Sequence, residues 1–462
     1  MREFLDRKII GKHVLILGLG AEGRSTYRLL RDLYPEQRLT LADRREDLAQ
    51  ETGFTHPLNY FQCGAHYLDH LRSFDLIIKS PGISLKEFPE DFDFGKLTSQ
   101  TALFLEAFRS QTIGITGTKG KSTTASLIHH LLAAAGKDVL LIGNIGVPAF
   151  DVLNRINTNT LIVFELSAHQ LEGIRVSPHV SILLNIFQEH LDHYADYYDY
   201  QLAKYNIARW QTNDDYFIYH HLDLHVPDLI RSIPLASKLV PYAISQHSDT
   251  KIFTEAGEVF SKISGLVENI CNIPDLHSLR GNHNLLNWLA AIAACKVAGM
   301  DGIDFCSSAE TFQALPHRME FIGEFGGIRF YNDSIATIPE AVIYALETIG
   351  DVDTLILGGY DRGIEYGSLR RYLEHTGVRN LFFTGGAGKR LMQELEDDFP
   401  GKYHKKWFDD FDSMIAGAIA ATAPGRSCLL SPAAASYDRF MNFEHRGNRF
   451  RELVYKSYSR ST

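Results

Sequence analysis

Residues 113–124 read IGITGTKGKSTT and have the residue types and the spacing of a phosphate-binding loop. An apolar, β-branched strand end runs into a turn with two glycines, and a helical pattern starts at Ser122. Backbone N–H groups and the positive end of the helix dipole face an anion at such a turn, and Lys121 adds a full charge. Ser122 is placed to hold Mg²⁺ against the phosphates. We therefore predict a nucleoside triphosphate site at Gly117, Thr118, Lys119, Gly120, Lys121, Ser122 and Thr123.

This loop is the tighter G-T-x-G-K-S-T form of the common G-x-x-x-x-G-K-[ST] pattern, because Ile115 occupies the first glycine position. The alternative interpretation is a glycine-rich turn between a strand and a helix, with an exposed lysine. The strand end, the turn and the helix start occur together, and this combination favours the nucleotide site.

A second glycine-rich turn, GLGAEG, spans residues 18–23 between a predicted strand over 12–17 and a predicted helix. Asp43 ends the next strand, twenty residues after the last of these glycines. Such glycines let a pyrophosphate approach the backbone, and the acid accepts a hydrogen bond from a ribose hydroxyl. The pattern predicts a nucleotide diphosphate site and leaves the base open, so an NAD-dependent oxidoreductase is one alternative. A later strand, at whose carboxyl end ligands collect in such sheets, leads into Ser80, Pro81 and Gly82.

Three further predicted strands deliver polar side chains to the same edge as the triphosphate loop. Asn144, Glu165 and His190 each follow one of these strands. Mg²⁺ prefers oxygen ligands and tolerates an occasional imidazole, so this set suits a magnesium site. For His190 by itself, a structural role is an equally good interpretation.

Lys204 lies on the edge of an apolar helical stripe that includes Tyr200 and Ile207. A lysine that points inward needs a partner or a modification, because removing an ammonium group from water is costly. The alternative is a side chain that packs its stem on the helix and keeps its charged head in solvent. The residues alone favour this second interpretation.

Strands alternate with helices along most of the chain, and this order predicts an α/β fold. With 462 residues the chain is long enough for about three domains. We predict a Rossmann-like nucleotide-binding domain over 1–110, a central P-loop ATPase domain with a parallel sheet over 111–315, and a Rossmann-like α/β domain over 316–462. Residues 213–275 are β-rich and carry no functional assignment.

The charge balance and the cysteines restrict the class of protein. The chain has 46 Lys+Arg against 56 Asp+Glu, a net charge of −10, which disfavours a general nucleic-acid or anionic membrane surface. Its five cysteines are scattered and odd in number, which indicates a reducing compartment and no disulfide framework. The N-terminal apolar run is far shorter than a membrane span. We expect a soluble cytoplasmic protein.

The ordered set of motifs resembles the Mur ligase family, ATP-dependent enzymes that form amide bonds in peptidoglycan synthesis. The resemblance spans nearly the whole chain, and the long block SPAAASYDRFMNFEHRG at 431 is its most specific part. The other matching motifs are GLGAEG at 18, SPG at 80, GTKGKST at 117, GNIG at 143, ELS at 165, EHLDHY at 189, GNHN at 281, LPHR at 315, NDS at 332 and LGG at 357.

The resemblance implies an ADP-forming ligase with ATP and Mg²⁺ as cofactors. ATP would phosphorylate the carboxylate of UDP-N-acetylmuramoyl-L-alanine to an acyl phosphate, and the amino group of D-glutamate would then displace the phosphate. The glycine turn at 18–23 would bind the uridine diphosphate sugar and not NAD. The expected partners are these small molecules, without nucleic acid or a membrane span, and the expected protein is a monomer.

The resemblance also implies roles for individual residues. Lys121, His190 and Lys204 would be catalytic, with Lys121 on the transferring phosphoryl group. One Mg²⁺ would bind Ser122 and Glu165, and a second would bind His190 and a Lys204 carbamylated by CO₂. The ATP nucleotide would also contact Asn287, Arg318 and Asp333. The UDP substrate would contact Gly18, Leu19, Gly20, Ala21, Asp43, Arg44, Ser80, Pro81, Gly82 and Asn144.

Several residues depart from the family's motifs. Ile335 replaces a lysine, Ala168 replaces a serine and Ala434 replaces a cysteine. Arg362 stands near the position of a lysine that commonly binds a substrate carboxylate, and its guanidinium offers bidentate geometry in place of a point charge. D-glutamate is the predicted amino acid, with L-glutamate or another acidic amino acid as the alternative. Its expected site comprises Thr337, Arg362, Ser436 and Phe443.

Overall fold

A computed structural model of the protein describes residues 1–143, 147–189, 193–273, 281–300, 303–312 and 315–459. Two predicted site residues, Asn144 and His190, lie outside the described residues. The chain divides into two compact units, of which the first comprises Met1–Asp275 with Asn284–Thr311. The second comprises Leu276–His283 with Phe312–Thr462.

The N-terminal part of the first unit contains a five-stranded parallel sheet in the order β3-β2-β1-β4-β5. Its strands are β1 (Val14–Leu17), β2 (Leu39–Asp43), β3 (Asn59–Cys63), β4 (Leu76–Lys79) and β5 (Leu97–Thr98), and its helices are α1 (Arg2–Ile9), α2 (Ala21–Leu33) and α3 (Gln100–Phe108). β1 and β4 are buried at every position, which explains their continuous apolar sequences.

The central part of the first unit contains a nine-stranded sheet in the order β14-β13-β12-β11-β10-β9-β6-β8-β7. Its strands are β6 (Thr112–Thr116), β7 (Val139–Gly143), β8 (Leu161–Glu165), β9 (Val180–Leu183), β10 (Tyr216–His220), β11 (Lys238–Ser245), β12 (Ile252–Glu255), β13 (Glu258–Ser261) and β14 (Glu268–Asn272). Its helices are α4 (Lys121–Ala134), α5 (Ala168–Leu171), α6 (Tyr197–Arg209), α7 (Val226–Ser232), α8 (Asn282–Val297) and α9 (Phe305–Glu310).

This central sheet is parallel from β7 to β12 and antiparallel at β13 and β14. β12 and β13 are separated by only Ala256 and Gly257, and a connection of two residues can join antiparallel strands only. The stretch 213–275 is therefore β-rich as predicted, and it extends the sheet away from the phosphate loop.

The second unit contains a six-stranded sheet in the order β15-β16-β20-β17-β18-β19. Its strands are β15 (Glu320–Phe325), β16 (Ile328–Asn332), β17 (Val352–Gly358), β18 (Asn380–Thr384), β19 (His404–Trp407) and β20 (Ser427–Leu430), and its helices are α10 (Pro339–Ile349), α11 (Gly367–Glu374), α12 (Gly385–Asp398), α13 (Phe411–Ala421) and α14 (Phe443–Ser459). Only β15 runs antiparallel to its neighbour, because Gly326 and Gly327 close a tight turn before β16.

Three sheets with helices between their strands confirm the predicted α/β fold. Each sheet lies within one predicted domain, while the domain borders themselves stay a prediction. In the part of the chain that the structure describes, no helix has both the length and the apolar character needed to cross a membrane.

Candidate active site

The predicted phosphate loop joins β6 to α4, and its two glycines have backbone conformations that other residues rarely adopt. Gly117 has φ +156° and Gly120 has φ +85°. A Cβ atom on Gly120 would lie 2.4 Å from Oδ1 of Asn287, so another residue would have both to adopt this strained conformation and to displace the Asn287 side chain. The same contact brings Asn287, a predicted ATP-binding residue, against the loop.

Asn185, which follows β9, holds this loop through three hydrogen bonds. Its side-chain oxygen accepts from the Lys119 N–H at 2.9 Å, and its side-chain nitrogen donates to the Lys119 carbonyl at 3.0 Å. Its own carbonyl accepts from the Thr118 N–H at 2.9 Å. The sequence analysis missed this residue, although a polar side chain directly after a buried strand was the available signal.

Thr118 has a structural role in addition to its predicted place at the nucleotide. Its hydroxyl accepts from the Phe187 N–H at 2.9 Å and lies 3.0 Å from the Tyr200 hydroxyl. The side chain is buried. Thr118 therefore ties the loop to the segment after β9 and to α6.

Lys121 bends back over the loop from the first turn of α4. Its Nζ donates to the carbonyls of Gly117 and Thr118, at 3.0 Å each. The charge of Lys121 is thus held beside the glycine turn, and its contact with a phosphoryl group stays a prediction.

Lys204 lies on α6, and its side chain is only 2% exposed. Its Nζ donates to the Gly117 carbonyl at 2.8 Å and lies 4.8 Å from the centre of the Tyr200 ring. Burial and the nearby charge of Lys121 lower the pKa of Lys204 well below its ordinary value. The alternative of a lysine with its head in solvent is wrong, because the loop covers the helix face on which Lys204 lies.

Glu165 and Ser122, the proposed ligands of one Mg²⁺, are both buried. Glu165 ends β8 and pairs in register with Ile115 of β6, two residues before the loop. Together with Glu189 it lies near enough to Lys204 to act on that lysine's pKa. A carboxylate and a hydroxyl are donors that suit Mg²⁺.

Among the described residues, no group of three or more His, Cys, Asp or Glu side chains is arranged to hold a metal ion. Proteins commonly bind Mg²⁺ through one or two protein groups together with substrate phosphates, and the Glu165 carboxylate and the Ser122 hydroxyl are donors of that kind. The donor set therefore fits a magnesium ion that arrives with a nucleotide.

The glycine turn after β1 has the packing that its sequence predicts. Gly18 has φ +87°, and its N–H donates to the Ala42 carbonyl at 2.7 Å. A Cβ atom on Gly23 would lie 1.9 Å from the Gly18 carbonyl oxygen, so α2 can approach the turn only with glycine there. Ser80, after β4, donates its hydroxyl to the same Gly18 carbonyl at 2.5 Å. The glycine turn and the predicted Ser80–Gly82 segment are therefore joined directly by a hydrogen bond.

Asp43 and Arg44, at the end of β2, are both held by protein groups. The Asp43 carboxylate accepts from the Leu19 N–H at 2.6 Å and from the Arg45 N–H at 3.0 Å. Arg44 donates to the Tyr67 hydroxyl at 2.9 Å and pairs with Glu87. Asp43 thus orients the glycine turn, and contacts of either residue with a UDP substrate stay a prediction.

In the second unit, the residues predicted for the amino acid follow three neighbouring parallel strands. Thr337 follows β16, Arg362 follows β17 and Ser436 follows β20. The Ser334 hydroxyl donates to the Phe443 carbonyl at 2.8 Å, which brings the start of α14 to the same edge. The structure therefore places all four predicted residues near one sheet edge.

A buried arginine, Arg446, organises this edge, and the sequence analysis missed it. Its guanidinium donates to the Ser334 hydroxyl at 3.0 Å and to the carbonyls of Ser334 and Ala434 at 2.7 and 3.1 Å. Asp333, predicted at the nucleotide, accepts from the Ser431 hydroxyl at 2.7 Å. Arg318, the other predicted nucleotide contact of this unit, lies in the turn before β15.

Glu22, at the start of α2, connects the N-terminal part of the first unit to helix α5 of the central part. Its carboxylate accepts from the side chain of Gln170 at 2.6 Å, and Gln170 forms a capping box with Ser167 at the start of α5. Burial raises the pKa of Glu22 to about 6, from an ordinary 4.5, against the opposing effects of Gln170 and Lys79.

Replacing Glu22 by glutamine should stabilise the protein more at pH 7.5 than at pH 5. Between pH 4.5 and 6 the folded state binds more protons than the unfolded state, so the contribution of Glu22 to stability falls as pH rises. The free-energy difference between Glu22→Gln and wild type should widen by about 1 kcal/mol from pH 5 to 7.5. Urea unfolding at several pH values measures it. Glu36→Gln, at an exposed site, is the control, and a pH-independent difference would contradict the prediction.

Comparison with known proteins agrees with this geometry. Residues 115–295 match the Mur ligase middle domain, and residues 317–434 match the Mur ligase glutamate ligase domain. Two curated relatives, each called UDP-N-acetylmuramoylalanine–D-glutamate ligase, come from Macrococcus caseolyticus and Geobacillus kaustophilus. Each is 33% identical, and each alignment covers 96% of this chain and 98% of the relative.

Solved structures share the fold at low identity. UDP-N-acetylmuramate-alanine ligase from Thermotoga maritima has a TM-score of 0.58 at 19% identity, over 96% of this chain and 100% of that chain. The MurF ligase of the same organism, in complex with ADP, has a TM-score of 0.56 at 17% identity, over 84% and 91%. The full-length similarity to the curated relatives, together with the two matching domains, shows that the chain belongs to the Mur ligase family.

Proposed function

We propose that the protein joins D-glutamate to UDP-N-acetylmuramoyl-L-alanine, with ATP converted to ADP and phosphate, in peptidoglycan precursor synthesis. The observation that carries the proposal is the convergence of Lys121 and Lys204 on the Gly117 carbonyl, beside the buried Glu165. An NAD-dependent oxidoreductase would need neither the two lysines nor this second phosphate loop. The names of the curated relatives support the choice of both substrates.

In the proposed reaction, a carboxylate oxygen of the alanyl group attacks the γ-phosphorus of ATP, and ADP leaves. The amino group of D-glutamate then attacks the carbonyl carbon of the acyl phosphate, and inorganic phosphate leaves as the amide forms. The loop amides and Lys121 stabilise the charge on the transferring phosphoryl group. Because these groups are held before the substrate arrives, little reorganisation is needed during the reaction.

Mg²⁺ would neutralise charge on the phosphates, with Ser122 and Glu165 as ligands of one ion and His190 and Lys204 as ligands of a second. We propose that Lys204 carries a carbamate. Its uncharged amine would add to the carbon of CO₂ and release one proton, so that a neutral amine becomes an anion with two oxygens. Burial beside Lys121 supports this, because two ammonium groups at one carbonyl repel each other.

The carboxyl ends of β16, β17 and β20 are the proposed site of the amino acid. Arg362 would clamp a glutamate carboxylate in bidentate geometry, with Thr337, Ser436 and Phe443 around it. Asn287, Arg318 and Asp333 would contact the nucleotide. The glycine turn at 18–23, with Asp43, Arg44, Ser80–Gly82 and Asn144, would bind the UDP substrate.

We also propose that the enzyme acts as a cytoplasmic monomer in which 1–110 binds the UDP substrate, 111–315 binds ATP and 316–462 binds the amino acid. Five free cysteines support a reducing, cytoplasmic setting. Light scattering of the purified protein tests the monomer.

The function is tested by measuring phosphate release with ATP, UDP-N-acetylmuramoyl-L-alanine and D-glutamate. Release should require all three, and mass spectrometry should find the UDP-linked product extended by one glutamyl residue. Parallel assays with L-glutamate and D-aspartate determine which acidic amino acid is used. Tight binding of NAD without phosphate release from the complete mixture would overturn the proposal in favour of the oxidoreductase.

A further inference from the structure

The carboxylate of Glu172, the residue that follows α5, contacts groups from two other segments of the first unit. Its Oε2 accepts from Nζ of Lys79 at 3.1 Å and lies 3.3 Å from Nε2 of His193. Its Oε1 accepts from the Leu85 N–H at 3.4 Å. One carboxylate therefore joins three parts of the chain that are far apart in sequence.

Each of these parts leads directly to a proposed functional element. Lys79 is the last residue of β4, immediately before the Ser80–Gly82 turn, and it also donates to the Ile83 carbonyl at 2.6 Å, which closes that turn. His193 lies three residues after His190, and α5 starts three residues after Glu165. The contacts of Glu172 thus link the UDP-substrate turn to the two segments that carry proposed metal ligands.

The Lys79–Glu172 pair is buried, with side chains that are 3% and 10% exposed. Burial alone would raise the pKa of Glu172, but the hydrogen bond with His193 and the charge of Lys79 outweigh it and lower that pKa. A buried ion pair is weak evidence for stability, because apolar pairs of similar volume often replace such pairs without loss. We therefore explain the Lys79–Glu172 pair by a role in positioning the segments that it joins.

A cavity of about 310 Å³ lies beside the pair and is lined in part by Ser84, Glu172, His193, Tyr194 and Asn206. Packing therefore cannot fix the distance between the β4 turn and the 193–195 segment on this side. Two sets of polar contacts lie on this side. One set is made by Glu172, and the other is the hydrogen bond from the Ser84 hydroxyl to the His193 carbonyl at 2.7 Å. These contacts connect the β4 turn to the 193–195 segment.

We propose that Glu172 is a positioning residue, which holds the Ser80–Gly82 turn in register with the segment after His190. It thereby places the alanyl carboxylate of the UDP substrate against the γ-phosphate of ATP. The inference rests on the proposed function. It adds that the approach of the two substrates is set by an ion pair that touches neither of them.

The test compares Glu172→Gln with wild type and with Glu90→Gln, an exposed control elsewhere in the first unit. Glu172→Gln should lower kcat/KM for UDP-N-acetylmuramoyl-L-alanine by about 10- to 100-fold, as expected for a small misplacement of reactants. The KM for ATP should stay near the wild-type value, because the phosphate loop keeps its own contacts with Asn185.

A double variant separates positioning from stability. Glu172→Gln leaves the Lys79 charge buried without its partner, whereas Lys79→Met combined with Glu172→Leu removes both charges. The melting temperature of the double variant should therefore lie closer to wild type than that of Glu172→Gln, while its kcat/KM for the UDP substrate stays low. Recovery of kcat/KM together with the melting temperature would show that the pair is structural only. An active wild type with an unaffected Glu172→Gln variant would also overturn the inference. An inactive wild type would overturn the proposed function and, with it, this inference.

Discussion

Replacing Lys121 by alanine should lower kcat/KM more than about 100-fold, which corresponds to at least ~3 kcal/mol of transition-state stabilisation. Lys121 is held at the loop by hydrogen bonds to the carbonyls of Gly117 and Thr118. Its charge is thus in place before phosphoryl transfer begins, where negative charge develops on the γ-phosphate oxygens. Most of the loss should appear in kcat, because the loop amides still bind ATP.

The measurement is ADP release at several ATP concentrations, which separates kcat from KM. Lys137→Ala is the matched control, because Lys137 is an exposed lysine just beyond the other end of α4. It should leave both constants near wild type. Near-normal turnover in Lys121→Ala would remove this lysine from the proposed mechanism, and a change confined to KM would reduce its role to binding ATP.

Replacing Lys204 by alanine should nearly abolish activity, and short carboxylates such as formate or acetate should restore part of it. The side chain is buried and reaches the Gly117 carbonyl at 2.8 Å, so its removal opens a space next to the loop. A small carboxylate in that space would supply the oxygens that the proposed carbamate provides. The measurement is ADP release with and without added carboxylate.

Lys204→Arg provides the matched control for this result. A guanidinium is always charged and is no nucleophile for CO₂, and its bulk fills the space that a carboxylate would enter. This variant should be inactive and should not be rescued. Mass spectrometry and carbon NMR of wild type in isotope-labelled bicarbonate test the carbamate directly. Full activity of Lys204→Ala would show that the lysine is structural, and an active Lys204→Arg would exclude the carbamate.

Local features of the structure could be predicted from sequence because they depend on residues that are neighbours in the chain. Gly18, Gly23 and Gly120 are required by backbone conformation or by a close approach within a strand–turn–helix unit, and this requirement appears as a pattern. Alternating strands and helices likewise predicted parallel sheets whose polar strand ends meet at one edge.

Interactions between distant residues could not be predicted in this way. Lys204 and Gly117 are 87 residues apart, so periodicity placed the lysine at the edge of a stripe without showing what lies opposite. Glu172 and Lys79 are 93 residues apart, and neither has a local pattern that indicates an ion pair. The antiparallel strands β13 and β14 also extend a sheet that the sequence predicted as parallel.

The sequence by itself determined that α/β regions follow one another along the chain. It also determined the glycine turns and the residue types available for phosphate and metal chemistry. Only the tertiary structure decided which side chains are removed from water and which backbone groups they meet. The physical reason is that burying a charge is costly unless a partner offsets the cost. Whether a side chain is buried, and which partner it meets, depend on contacts in space between segments that are far apart in the sequence.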